Sequence, residues 1–216
     1  MQTCRIIPID PVRPDPAAIG EAVRVLAAGG LAVLPTETVY GLAADPRSAP
    51  AMDRLYAAKG RPAGKPVALL VDGAGALAEA GAGVPPAARA LLGRYWPGPL
   101  TLVLDTPGGP VGFRCPDHPV ALALLRLFGR PLAASSANRS GRPDPLTAAD
   151  AAAELGTSVD LFLDGGRVPG GVPSTVVRVT SGNEWRILRR GAIAAPDVER
   201  IAGGRGAAPD AAPERP

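Results

Sequence analysis

Apolar and polar positions divide the chain into short runs whose period switches between about two and about 3.6 residues. Residues 4–9 (CRIIPI) read as a strand. Asp15 stands as a cap ahead of Pro16, and Ile19, Ala22, Val23 and Leu26 recur at helical spacing until Gly29-Gly30 stops the helix. LAVLP (31–35) is a buried strand leading into the loop TETVYGL. Ser48 caps a second helix that runs to Lys59 and ends at Gly60. A strand over 67–71 and helices over 74–80 and 86–95 follow. Residues 99–104 and 111–114 flank a Pro/Gly turn, as a hairpin would. Ala121, Leu124, Leu125 and Phe128 mark a helix before the strand 131–135, and Thr147 with Asp150 forms a capping pair for a helix over 148–155. Strands over 159–164, 174–179 and 184–189 and a short helix near 197–202 complete the pattern. Strands alternating with helices, plus hairpins, indicate an α/β fold: a twisted mixed β-sheet covered by helices. No internal repeat is visible. The stretch 203–216 is rich in Gly, Ala and Pro without an apolar stripe, so a disordered tail is expected there after a single domain over 1–202.

At 216 residues with 46% hydrophobic side chains, the chain is long enough for one sizeable core without a second domain. Mean hydropathy is +0.13, yet no apolar run approaches the roughly 20 residues that cross a bilayer. The opening MQTCRIIPIDPVRPDP lacks the charged-then-apolar order of a signal peptide. A soluble cytoplasmic protein without membrane contact is the expectation. Cys4 and Cys115 form no CxxC pair, and with one histidine in the chain no protein-built metal site is expected. A net charge of +3 does not by itself imply nucleic-acid binding. Aromatics at 4% give little support to a stacking platform for single strands. Lysine usage is more telling. Of 23 lysines and arginines only Lys59 and Lys65 are lysine, both within KGRPAGKP. Either arginine bias left them there by chance, or a compact ammonium is needed at that place. Both are expected on an exposed loop.

The GxxxxGK[ST], HExxH and GxSxG signatures are absent. His118, within CPDHP, reads better as a turn residue than as a general base. What remains is a set of polar loops directly after apolar strands, the place where α/β sheets bind ligands. Thr36, Glu37, Thr38 and Tyr40 offer two hydroxyls, a carboxylate and a phenol, a set that composition alone equally allows in an ordinary strand exit. Lys59, Arg61 and Lys65 place three cations within seven residues stiffened by prolines. Cations also favour a helix C-terminus, but this set suits a triphosphate, with the guanidinium clamping two oxygens. In AASSANRSG (133–141) small residues let backbone N–H groups approach an anion. Ser174-Thr175 and Arg189-Arg190-Gly191 add hydroxyls and guanidinium at further strand ends.

In chain order PTETVYGL, KGRPAGKP, GFRCPDHP, LAASSANRSG, PSTVV and ILRRGAI closely resemble the YrdC-type threonylcarbamoyl-AMP synthases. The resemblance runs from about residue 5 to 193, and six motifs in register are highly specific. It implies a YrdC-like α/β domain with a large concave basic cavity. It also implies the reaction in which L-threonine, bicarbonate and ATP give threonylcarbamoyl-AMP and pyrophosphate, with Mg2+ carried on the ATP phosphates. A tRNA threonylcarbamoyl-transferase complex would then accept the product to make N6-threonylcarbamoyladenosine in tRNA. By the same resemblance Thr36 and Ser174 would contact threonine or its carbamate, and Arg114 would hold the threonine carboxylate. Lys59 and Arg61 would act in catalysis and bind ATP, joined at the nucleotide by Lys65, Ser136, Asn138 and Arg189. Many relatives carry asparagine where this chain has Lys65. Longer relatives continue into a linker and second domain after ILRRGAI, whereas only the expected tail follows here, so the short form is expected.

Attack of a carbamate oxygen on the α-phosphate needs positioning and electrostatics rather than a protein nucleophile. It also needs water kept away from a labile carbamate. Two other readings stay open on the residues. A basic cavity is also what a module binding double-stranded RNA, or weakly the tRNA itself, would have. The other is a related enzyme that adenylates a carbamoyl group for transfer to another protein or small molecule, but relatives of that kind set this domain beside acylphosphatase-like and zinc-finger modules, for which this chain has neither the cysteines nor the length.

Overall fold

A computed structural model describes residues 5–62, 65–203 and 206–207. Its strands are β1 (Ile6–Pro8), β2 (Ala32–Leu34), β3 (Gly41–Ala44), β4 (Ala68–Leu70), β5 (Leu100–Thr106), β6 (Gly109–Arg114), β7 (Leu132–Ser136), β8 (Leu161–Asp164), β9 (Thr175–Val179), β10 (Trp185–Arg189) and β11 (Gly206–Ala207). They form one sheet in the order β1-β8-β2-β3-β7-β4-β6-β5-β9-β10-β11. Parallel pairs (β1 and β2 with β8, β4 with β6, β5 with β9, β10 with β11) stand beside antiparallel ones, so the sheet is mixed.

One half of the sheet is covered on both faces. Helices α1 (Pro16–Ala27) and α5 (Pro119–Phe128) pack over Ala32, Leu34, Ala43, Leu161 and Leu163. Helices α2 (Ala49–Lys59) and α6 (Ala148–Leu155) pack over the intervening Leu31, Val33, Leu42, Ala44 and Phe162 on the opposite face. Successive residues of a strand point to opposite faces, so apolar residues must be continuous where both faces are buried. Each large side chain buried this way contributes roughly 1.5–3 kcal/mol. The caps are those the sequence indicates. Asp15 accepts from the Ala17 amide, Ser48 from the Ala51 amide, and Thr147 with Asp150 closes a reciprocal capping box.

The other half is covered on one face only. Helices α3 (Gly75–Glu79), α4 (Pro86–Tyr95) and α7 (Ala195–Ala202) pack on Leu100, Leu102, Leu104, Phe113, Val177, Val179 and Ile187. The alternate positions Thr101, Val103, Gly112, Arg114, Val176, Arg178, Arg186 and Leu188 point the other way. That bare face is the floor of a concavity.

Two strands depart from the sequence expectation. β3 lies where a loop was expected, since GLAA has no β-branched or aromatic residue. Its place between β2 and β7, buried on both faces, overrides that weak propensity. Gly206 and Ala207, expected in a tail, pair in parallel with Trp185 and Arg186, and Trp185 Nε1 donates to the Gly203 carbonyl at 2.8 Å. The sheet therefore takes in these two residues, and 204–205 and 208–216 lie outside the described residues. Among the described residues no helix is long and apolar enough to cross a membrane.

Candidate active site

The concavity holds about 670 Å3, within the range of small-molecule sites, roughly 300–1,000 Å3. Its lining includes Arg61, Lys65, Arg114, Arg178, Arg186 and Arg189, and no carboxylate among the described residues. Thr36, Thr101, Ser135, Ser136 and Ser174 bring hydroxyls to the same space. Strand ends and loops distant in the chain thus deliver cations and donors to one cavity, an arrangement that suits a polyanion.

Thr36 follows β2. Its hydroxyl donates to the Val39 carbonyl at 2.6 Å and meets Thr38 Oγ1 at 3.0 Å. The hydroxyl is thus engaged within its own turn, and the Thr36 methyl lies 4.0 Å from where a Cβ on the cavity-lining Gly41 would stand. Tyr40 points away: its hydroxyl donates to the Gly166 carbonyl at 2.6 Å and accepts from the Gly165 amide at 3.2 Å. Burial, with the nearby Asp164 charge, pushes that phenol up to about 12. Arg114 Nη2 donates at 2.8 Å to both Glu37 Oε1 and Thr38 Oγ1, so the carboxylate and one hydroxyl of the 36–40 loop orient a guanidinium rather than the ligand. Arg114 Nε is buried without a partner among the described residues. His118 accepts from the Val120 amide at 3.2 Å through Nδ1 and caps α5, and burial lowers its pKa.

The two lysines part company. Lys65 is exposed and lines the cavity. Lys59 ends α2, as the sequence indicates, but where an exposed position beside the phosphates was expected it is 3% exposed and outside the cavity lining. Its ammonium donates to the Ser136 carbonyl, to the Asn138 carbonyl at 2.7 Å and to Asn138 Oδ1 at 3.4 Å. The Ser140 amide returns a bond to the Lys59 carbonyl at 2.8 Å. Burial lowers the Lys59 pKa to about 8, the Arg61 charge adds to this and Asp144 opposes it. This is the geometry of a strut under the 136–140 loop. Asn138, 4% exposed, also stays outside the lining and donates from Nδ2 to the Arg142 carbonyl at 2.6 Å. Ser136 does face the cavity. Arg61 lines it too while bracing its own loop, with Nε on the Lys65 carbonyl and Nη2 on the Pro66 carbonyl, both at 2.9 Å.

Ser174 and Arg189 meet on the far wall. Arg189 donates to the Ser174 carbonyl from Nε at 3.2 Å and Nη2 at 2.8 Å, and from Nη2 to Ser174 Oγ at 3.0 Å. A bulge between Ile187 and Arg189 breaks the β9–β10 register, which lets both Leu188 and Arg189 face the cavity against strict alternation. The backbone after the bulge passes so close to β9 that a Cβ on Gly191 would stand 2.3 Å from the Pro173 carbonyl oxygen. Burial lowers the Arg189 pKa, with Asp144 opposing and Arg114 and Arg61 adding to the shift, as expected where three guanidinium groups converge. Sequence reasoning missed Thr101, Arg178 and Arg186. Their signal is a polar residue at the alternate position of an apolar strand, as in LTLVL, VVRV and WRIL.

The family model Sua5_yciO_yrdC, described as telomere recombination, matches residues 24–191. The chain belongs to this Sua5/YciO/YrdC family. It is 39% identical to the threonylcarbamoyl-AMP synthase of Pyrococcus abyssi over 187 residues, covering 81% of this chain and 54% of the relative. It is 41% identical to the putative threonylcarbamoyl-AMP synthase of Mycobacterium tuberculosis strain H37Rv over 194 residues, covering 85% and 87%. The chain thus spans about half the length of the Pyrococcus relative and most of the mycobacterial one. Among solved structures, Pyrococcus abyssi Sua5 complexed with L-threonine superimposes with a TM-score of 0.85 at 35% identity, covering 92% of this chain and 61% of that one. Escherichia coli YciO superimposes with a TM-score of 0.81 at 26% identity, covering 92% and 99%.

Proposed function

We propose that this member of the Sua5/YciO/YrdC family makes threonylcarbamoyl-AMP from L-threonine, bicarbonate and ATP, releasing pyrophosphate and water. The observation that carries the reading is the convergence of Arg61, Lys65, Arg114 and Arg189 with the Ser174 hydroxyl on a cavity whose described lining holds no carboxylate. The curated relatives bearing this activity in their names, and the L-threonine complex of a structure with the same fold, support it.

The threonine amine condenses with bicarbonate to a carbamate with loss of water. A carbamate oxygen then bonds to the α-phosphorus while the bond to the bridging oxygen breaks, and pyrophosphate leaves with that electron pair. Charge develops on phosphoryl oxygens, where fixed cations stabilise it without reorganising at the moment of reaction. Arg61 and Lys65 face the phosphates, and Arg189 holds the wall opposite. Arg114, oriented by Glu37 and Thr38, takes the threonine carboxylate. The methyl of Thr36 gives the amino acid's β-methyl an apolar neighbour. Lys59 and Asn138 act from behind by holding Ser136 in place.

Mg2+ carried on the triphosphate would supply further positive charge there. Among the described residues no group of three or more His, Cys, Asp or Glu side chains is placed to hold a metal. The cation-rich lining suits an ion held through substrate phosphates and water. The product is a reactive mixed anhydride, and a tRNA threonylcarbamoyl-transferase complex would be its acceptor. Pyrophosphate release from ATP should require both L-threonine and bicarbonate. Release indifferent to both would overturn the reading, as would steeply salt-dependent tRNA binding without ATP turnover.

A further inference from the structure

Thr101 is a side chain of the cavity to which neither the motifs nor the proposed chemistry gives a role. It is the second residue of β5, 5% exposed, and its hydroxyl lies 2.8 Å from Ser174 Oγ on the neighbouring β9 side. Its methyl stands 3.6 Å from where a Cβ on Gly112 would be, across the hairpin on β6. Methyl toward Gly112 and hydroxyl toward Ser174 define the rotamer of a β-branched residue that is stiff at χ1.

Two arrangements of the hydroxyl protons are open to this pair. A guanidinium only donates, so the Ser174 oxygen is an acceptor for Arg189 Nη2 at 3.0 Å. The Thr101–Ser174 contact uses one hydroxyl proton and leaves the other for the cavity. If Ser174 donates to Thr101, the spare proton sits on Thr101. If Thr101 donates to Ser174, the Ser174 oxygen accepts twice, and its own proton faces the cavity, polarised by Arg189. Hydrogen bonds in such a chain strengthen one another, and an anionic oxygen favours the more polarised donor. Resting on the proposed synthase reading, we propose that Thr101 is a positioning residue: it donates to Ser174 and so aims the Ser174 hydroxyl proton at an anionic oxygen of the bound amino acid or its carbamate.

The test uses the whole chain and measures pyrophosphate release against L-threonine and against ATP. Thr101→Val keeps the shape and removes the hydroxyl. It should raise the KM for threonine about tenfold, the loss of one hydrogen bond of this kind, with the KM for ATP and kcat nearly unchanged. Thr101→Ser, which restores the hydroxyl, should bring the threonine KM back toward wild type. In a Ser174→Ala background, Thr101→Val should have no further effect, because the two act as one unit. A threonine KM unchanged in Thr101→Val, or effects that simply add in the double variant, would overturn the proposal. Should Thr101→Val fail to fold, Thr101→Ala in the same cycle decides. A wild-type protein that needs neither threonine nor bicarbonate sinks the synthase reading instead, so the two failures are distinguishable.

Discussion

At the scale of the residue, Lys59 is an ammonium that burial penalises and three oxygen acceptors hold. In the folded protein it gives up its proton near pH 8, whereas in the unfolded chain it keeps it to about 10.5. Between these values the unfolded state binds more protons, so the stability contributed by this lysine rises with pH and is lost as pH falls through the folded value. Lys59→Met titrates in neither state. The stability gap between wild type and Lys59→Met should therefore widen between pH 8 and 10.5, by something on the order of 3 kcal/mol. Urea unfolding of both proteins across that range checks the sign, and a constant gap would mean that the buried amine is not the titrating group. Arginine is a poor substitute here, since a planar fork does not fit a pocket shaped for three converging oxygens. Lys59→Arg should lower both the melting temperature and turnover. Lys65→Arg, at an exposed position, should leave the melting temperature unchanged and affect chiefly the KM for ATP. Melting curves beside steady-state kinetics distinguish the two.

The elements carry the site by their ends and their irregularities. β5, β6, β9 and β10 send alternate residues to the core and the cavity, and the bulge after Ile187 adds Arg189 to the cavity side. Helix α6 is a test of how far local helix stability matters to that geometry. Its N-terminus is held by the Thr147–Asp150 box, with Asp150 accepting from the Thr147 amide at 3.1 Å and Thr147 Oγ1 from the Asp150 amide at 3.0 Å. These contacts hold Asp150 below the usual carboxylate range. Thr147→Ala should cost about 1 kcal/mol of stability. Because neither residue lines the cavity, the KM values should stay at wild type. The midpoint of a denaturant titration and one set of kinetics suffice, and a changed KM would show that the cap also positions the loop before it.

The whole molecule has one half built as a two-faced core and the other as a one-faced sheet whose bare side floors the cavity. Its far edge includes β11, and the Gly203 carbonyl accepts from Trp185 Nε1. Ending the chain at Ala202 removes both and exposes Trp185, which is 6% accessible here. A chain ended at Ala202 should therefore melt lower than one ended at Ala207, although both lack most of the stretch expected to be a disordered tail. Equal melting temperatures would show that the edge pairing adds nothing. On the proposed synthase reading, selection of threonine over serine would depend on one methyl group beside Thr36. One methyl in a pocket is worth about 1–3 kcal/mol, roughly 10–200-fold in kcat/KM. Serine should thus be a measurable but inferior substrate, and equal kcat/KM for the two amino acids would remove Thr36 from the specificity pocket.

Local features of the chain determined the elements whose causes are local. Asp15 before Pro16, Ser48 and the Thr147–Asp150 pair mark helix starts because capping is a matter of three or four consecutive residues. The motifs likewise marked Arg61, Lys65, Arg114, Ser136, Ser174 and Arg189, all of which the fold brings to one cavity. Only tertiary structure decided that GLAA is a strand, because its own β-propensity is weak and one of its two pairing strands, β7, lies about 90 residues further along the chain. Only tertiary structure separated the two lysines. Six residues apart, they look alike in a charge pattern, yet one ends a buried helix turn beneath the 136–140 loop and the other lies on the open rim. Burial and hydrogen-bond partners come from chain segments some 77 residues away, and no local pattern of charge or hydropathy contains that information.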